Sequence, residues 1–313
     1  MTPAVLIALQ LVIVVALSPV LTGLMRQVRA RMEGRAGPGI GQPWRDLRKL
    51  MRKQPVAPDG TSVVFRTAPL VLVATCLVVA AVTPLVGTAA APGPVSDLFA
   101  VVALLTLGTV ALALAGIDTG TAFGGLGASR EATIVALVEP TLLVAIFALS
   151  VPVGSTNLGA IVTSTLDDPA QVLSPVSLLA AAALVVVIIA ETGRLPVDNP
   201  STHLELTMVH EAMILEYSGP DLALVELAAA MRLTLFLGLL ANLFVPWGIA
   251  TGGNPLLIAA GVVAFVTKVA LLGALLAAGE VFLAKLRLFR VPELLAGSFV
   301  MGLLAVGASF FIA

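Results

Sequence analysis

Eight times along this chain an apolar run of about 20 residues recurs, at 3–25, 65–86, 98–117, 129–151, 174–192, 221–247, 255–279 and 292–312. A helix of that length crosses a hydrocarbon core of about 30 Å. The expected fold is therefore all-α: a polytopic integral membrane protein of about eight transmembrane helices, forming a single transmembrane domain over 1–313, with amphipathic helices in its loops. Apolar residues make up 59% of the chain and charged residues 11%, with a mean hydropathy of +1.08, which sets it apart from soluble domains. Residues 3–25 lack a basic start and are followed by arginines, so a retained span is expected rather than a cleaved signal.

The basic residues are distributed very unevenly. Nine of the 17 lie between Arg26 and Lys53, and Lys285, Arg287 and Arg290 lie between the last two spans. The alternate loops at 87–97, 152–173 and 248–254 contain no Lys or Arg. The positive-inside rule then places both termini outside and the charged loops in the cytoplasm, in a cell inner (plasma) membrane. A net charge of −1, with no basic stretch interleaved with aromatics, gives no sign of nucleic-acid binding. Cys76 is the single cysteine, so there is neither a disulfide nor a cysteine-ligated cluster. His203 and His210 would stand about 10.5 Å apart on a helix, too far to share a metal.

The first charged loop reads Arg35-Ala-Gly37-Pro38-Gly-Ile-Gly41-Gln42-Pro43-Trp-Arg45-Asp46-Leu-Arg48-Lys49. Its glycines and prolines predict an irregular turn, followed by an amphipathic helix from about Trp44 to Gln54. Such a helix either rests on anionic lipid or docks a soluble partner. Gly116-Ile-Asp118 through Gly127 is rich in glycine without a GK[ST] ending, so it is read as close backbone approach and not as a phosphate loop.

Charge also enters the spans. Glu139 lies about 15 Å into the fourth, Arg232 about 16 Å into the sixth, and Lys268 near the middle of the seventh. Each would cost roughly 2.5–3.5 kcal/mol at the bilayer centre. They are expected to face inward, either as structural ion pairs or as an ion path, with Lys268 or Arg232 holding Glu139 ionised. Arg130, nine residues before Glu139, points away from it.

The densest chemistry lies between the fifth and sixth spans: Glu191, Arg194-Leu-Pro-Val-Asp198-Asn-Pro, His203-Leu-Glu205-Leu-Thr-Met, His210-Glu211 and Glu216-Tyr-Ser-Gly219. Asn199-Pro200-Ser201-Thr202 predicts a turn and helix start. A helix over 201–217 would put Glu205 and Glu216 on one face and His203, Thr207, His210 and Ile214 nearly opposite.

Those motifs resemble the membrane subunit of group 4 NiFe hydrogenases, the formate hydrogenlyase subunit 4 family, which is related to the quinone-chamber subunit of respiratory complex I (H-type in bacteria, subunit 1 in mitochondria). The resemblance takes in the Gln42-Pro43, Asp46 and Lys49 loop and the nine-residue spacing of Arg130 and Glu139, and spans nearly the whole chain. It implies a membrane-anchoring, proton-coupling subunit that performs no redox chemistry itself. The NiFe centre and Fe-S clusters would sit on soluble hydrogenase large, small and Fe-S subunits, beside antiporter-like membrane subunits. It implies docking through Arg35, Gln42, Pro43, Arg45, Asp46, Arg48, Lys49, Arg194, Arg287 and Arg290. Charge would be relayed through Arg130, Glu131, Glu139, Asp198, Glu205, Glu211, Glu216, Glu226, Arg232 and Lys268. The alternative is the complex I subunit, with quinone reduced in a chamber against its partners. Asn199, Pro200, Thr202 and His203 stand where that subunit is richer in glutamate, which counts against quinone. A stand-alone carrier is the third class, and the lack of an internal repeat counts against it.

Overall fold

The computed structural model describes residues 3–88, 96–198 and 208–312. Among these residues the secondary structure is helical, apart from two isolated β-bridges, Gly87 with Ala250 and Asp97 with Asn157. The long elements are α1 (Pro3–Met32), α3 (Val63–Val82), α4 (Leu98–Asp118), α5 (Ala122–Ser150), α7 (Pro175–Glu191), α9 (Gly219–Phe244), α10 (Pro255–Phe282) and α11 (Val291–Ile312). Each coincides with one expected span. Seven are long enough to cross a membrane by length and composition, and α7, with 17 residues, is just shorter. At about 1.5 Å per residue it still rises about 25 Å.

Three shorter helices sit in the loops: α2 (Gln42–Leu50), α6 (Leu158–Asp167) and α8 (His210–Ile214). The amphipathic helix expected from Trp44 to Gln54 begins two residues earlier, because Pro43 occupies its first turn, where a missing N–H costs nothing. The helix expected over 201–217 is confined, in its described part, to α8, and 199–207 lie outside the described residues. Helix α6 was not expected at all. Its loop is apolar for only ten residues, too short to register as a span.

The starts follow local chemistry. Ser62, Asp97, Thr121, Asn157, Ser174 and Asn254 each accept a backbone N–H of the helix they precede, the capping that orphan helix donors require. Thr121 makes α5 begin at Ala122, so the glycine-rich stretch is helix and not loop. The glycines serve close approach, since a Cβ on Gly124 would lie 2.2 Å from the Gly116 carbonyl oxygen.

Helix α9 runs through the centre and packs on α1, α3, α7 and α10, while α11 lies against α5 and α7. Its apolar window is 67% buried, against 28% for α10 and for α11. Opposite the basic loops, the non-helical turn at 83–88 is enclosed by the bundle. Backbone at membrane depth is tolerated only where protein satisfies it, and two side chains do so. Gln10 donates to the Ala80 and Thr83 carbonyls and accepts from the Val86 N–H, and Asn242 donates to the carbonyls of Pro84 and Leu85.

Candidate functional site: a charged cavity between the basic loops

A cavity of about 710 Å³ opens between α1, α2, α3, α4, α5, α7, α8 and α9. One wall is apolar, built from residues such as Leu72, Cys76, Leu105 and Leu112. The other is made of ionisable side chains drawn from four separate parts of the sequence.

His210 is its hinge. Its Nε2 lies 3.4 Å from Glu131 Oε1 on α5, and its Nδ1 lies 3.7 Å from Asp198 Oδ2. The Asp198 carboxylate also accepts the His210 backbone N–H at 3.4 Å and the Lys285 ammonium at 2.6 Å. Burial opposes a charge on His210, but Glu131 and Asp198 outweigh it and raise its pKa to about 9. Burial alone would push the Asp198 carboxyl up, yet His210 and Lys285 hold it well below the usual carboxylate range.

Three further ion pairs flank this group. Arg232, a full turn below Phe236 on α9 and 5.8 Å from its ring centre, binds Glu191 at the end of α7. Glu280, near the end of α10, takes both Arg29 and Arg194, the latter at 3.5 Å. Burial lowers the Arg194 pKa, against the pull of Glu280. Glu131 Oε2, His210 Nδ1 and Arg232 Nε are buried with no protein hydrogen-bond partner. Polar atoms so placed require water, and this cavity is roomy and polar enough to hold it.

The residues singled out in the sequence divide into groups. Glu131, Asp198, His210 and Arg232 come together, and Glu211 and Glu226 also line the cavity. Glu139 does not. It lies eight residues beyond Glu131, about 12 Å further along α5, and its buried Oε1 has no hydrogen-bond partner. Neither of the cations expected to hold it ionised pairs with it directly: Arg232 is taken by Glu191, and the Lys268 ammonium donates to Asn242 Oδ1 at 3.2 Å. Arg130 donates to the Met208 carbonyl at 2.7 Å, fastening the loop over α5. Glu216 is half-buried outside the cavity lining, and His203 and Glu205 lie outside the described residues.

Of the docking residues, Arg45, Arg48 and Lys49 are exposed along α2, as are Arg287 and Arg290 near α11. Arg35 is exposed and paired with Glu33, Gln42 donates to Asp46 at 2.8 Å, and Pro43 is buried. Arg194 is turned inward to Glu280 and faces the cavity rather than the surface. Glu191, Glu280, Arg29 and Lys285 were missed as partners. The available signal was an acid in the last turn of a largely apolar helix, as Glu191 and Glu280 both are.

The family model described as NADH dehydrogenase matches residues 4–310. The chain is 38% identical to hydrogenase-4 component C of Escherichia coli (strain K12) over 239 residues, 76% of this chain and 74% of that one. It is 33% identical to formate hydrogenlyase subunit 4 of the same strain over 302 residues, 95% of each. The H-type subunit of NADH-quinone oxidoreductase from Rickettsia prowazekii (strain Madrid E) is 30% identical over 237 residues, 70% of this chain and 68% of that one. A chain of the membrane-bound sulfane sulfur reductase, an archaeal respiratory membrane complex, shares the fold with a TM-score of 0.84 at 20% identity, covering 98% of this chain and 99% of that one. The protein is thus a multi-pass membrane protein belonging to the NADH dehydrogenase family, similar both to these hydrogenase components and to the H-type subunit of NADH-quinone oxidoreductase.

Proposed function

We propose that this chain is the membrane-anchoring and proton-coupling subunit of a membrane-bound NiFe hydrogenase complex of the formate hydrogenlyase kind. Soluble large, small and Fe-S subunits dock on its basic loops from the cytoplasm, and antiporter-like subunits flank it in the membrane. Both termini face outward. The redox centres belong to the partners, and this chain handles protons.

The observation that carries the reading is the series Lys285, Asp198, His210, Glu131, in which each side chain lies within 3.7 Å of the next. An imidazole with a carboxylate at each nitrogen can take a proton at one and release it at the other. The series starts at the loop surface where a partner would dock and ends inside α5. Glu191 and Arg232 lie beside it, so a shift of that pair changes the field on Glu131 and loads or unloads it. Water in the cavity would carry the proton over the remaining distance to Glu139. The 95% coverage of formate hydrogenlyase subunit 4 supports the choice of complex.

The test is reversal of the exposed charges Arg45→Glu, Arg48→Glu and Lys49→Glu together. The soluble, nickel-containing arm should leave the membrane while this chain stays inserted. Hydrogenase activity that remains membrane-bound would reduce α2 to a lipid anchor.

One feature favours the complex I reading as an alternative. The cavity falls within the roughly 300–1,000 Å³ range of small-molecule sites and has one apolar wall, as a quinone substrate would need. Purification in mild detergent separates the two: a nickel-bearing partner supports the first reading, a flavin-bearing arm the second. A chain stable and active alone would be a carrier.

A further inference from the structure

Lys268 is the fourteenth of the 28 residues of α10, about 20 Å from either end of the helix. It is half-buried. Among the described residues no carboxylate pairs with it, and its one partner is Asn242 Oδ1. Asn242 has nothing more to offer, since its amide donates to Pro84 and Leu85. An ammonium has three donors, so two remain, on a helix whose outer surface carries Val263, Leu271 and Leu275 in the open.

The same stripe of α10 leads into a second cavity. Leu272, Leu275 and Gly279 lie within about 40° of Lys268 around the helix. They line a groove of about 290 Å³, closed on its other sides by Ile189 of α7 and Leu237 of α9. Gly279 forms an open floor, with nothing within 4 Å of where a Cβ would stand, and small residues let a neighbouring helix approach closely. An apolar groove alone would suit a lipid chain. A lipid, however, carries its anion at the headgroup level, and here the cation sits at mid-depth.

We infer that the groove between α7, α9 and α10 receives a transmembrane helix of a partner subunit, and that this helix places an Asp or Glu against Lys268. The inference rests on the proposal that the chain works within a membrane complex, and adds the face and the chemistry of one contact. A carboxylate at that depth would satisfy the unused donors and neutralise a charge that is otherwise costly in hydrocarbon.

The experiment uses the complex as purified from native membranes. A photoreactive benzophenone side chain at Leu275, with Lys268 intact, is irradiated in the membrane and the adduct sequenced. The expected product joins Leu275 to a transmembrane segment of another subunit that contains Asp or Glu. Adducts with phospholipid alone, or with a segment lacking an acid, overturn the proposal. In parallel, Lys268→Glu should lower the ratio of membrane partner to this chain about tenfold or more, through like-charge repulsion, while Lys268→Arg keeps it. An unchanged ratio in Lys268→Glu likewise overturns it. The soluble arm is measured in the same samples. Its absence beside the unaltered chain would defeat the proposed function, whereas its presence with an indifferent membrane partner would defeat only the groove.

Discussion

Tyr217 stacks on Phe65 with ring centroids 4.2 Å apart and planes 6° from parallel, and its hydroxyl donates to the Phe65 carbonyl at 2.8 Å. Next to it, Ser218 Oγ accepts the Val56 N–H at 2.8 Å and donates to the Val56 carbonyl at 2.9 Å. Glu216-Tyr-Ser-Gly219 is thus in large part a fastener joining the start of α9 to the loop before α3. Tyr217→Phe should cost about 1–1.5 kcal/mol through the lost hydrogen bond, and Tyr217→Ala about 3–5 kcal/mol. The buried Cys76 is the single cysteine, so its reaction with a fluorogenic maleimide on heating gives Tm for each variant.

His210 sets a pH dependence. Its pKa in the folded chain is about 9, above the ordinary value near 6.5, so its contribution to stability is full below about 6.5 and is lost as pH rises through about 9. Asp198 acts in the opposite sense. Its pKa is lowered, so its contribution holds above about 3.9 and is lost as pH falls further. The Tm difference between the natural chain and His210→Gln should be largest near pH 6 and should shrink towards pH 10. A difference that grows with alkalinity would contradict the charged imidazole.

Breaking the Glu191–Arg232 pair should hurt more than deleting it. Glu191→Gln leaves a buried guanidinium uncompensated, at a cost of about 3 kcal/mol or more, whereas Glu191→Gln with Arg232→Met should recover most of that loss. Tm and the amount of inserted protein measure both. Equal losses in the single and double variants would mean that cavity water already solvates Arg232.

Glu139→Gln keeps shape and hydrogen bonding while removing a titrating proton. In the proposed hydrogenase complex assembly should survive, and hydrogen production from an artificial donor, which would use only the soluble arm, should be nearly unchanged. Proton translocation, or turnover that responds to membrane potential, should fall about 10²-fold, as when a positioned proton-transfer group is lost. A variant that fails to assemble would make Glu139 a packing residue, and one that behaves normally would remove it from the path.

Orientation is checked by cysteines placed at the exposed positions Ala57 and Ala170. An impermeant thiol reagent applied from outside should label the one at Ala170 and spare the one at Ala57. The reverse pattern would put the basic loops, and the proposed docking surface with them, on the outer side.

The spans were legible because hydrocarbon imposes one length and one secondary structure. The apolar runs placed the starts to within a few residues, except at α5, where glycines serve close packing inside a helix. Site membership was only partly legible. Arg232 stood out as a charge where charge is costly, Asp198 and His210 as part of the densest charged segment, and Glu131 through the resemblance, but nothing in the sequence says that Arg232 meets Glu191, 41 residues away. Nor does it say that Arg194 turns inward to Glu280, 86 residues away. Such pairings arise from the packing of α7, α9 and α10, which periodicity does not encode.

The turn at 83–88, held by Gln10 and Asn242, has an electrical meaning. The charged cavity is a polar recess reaching into the membrane-spanning bundle. Any continuous column of water from that recess to the far face would let ions leak through the membrane. Gln10 and Asn242, whose side chains are spent on the carbonyls and an N–H of this turn, close the far end of the bundle against such a column.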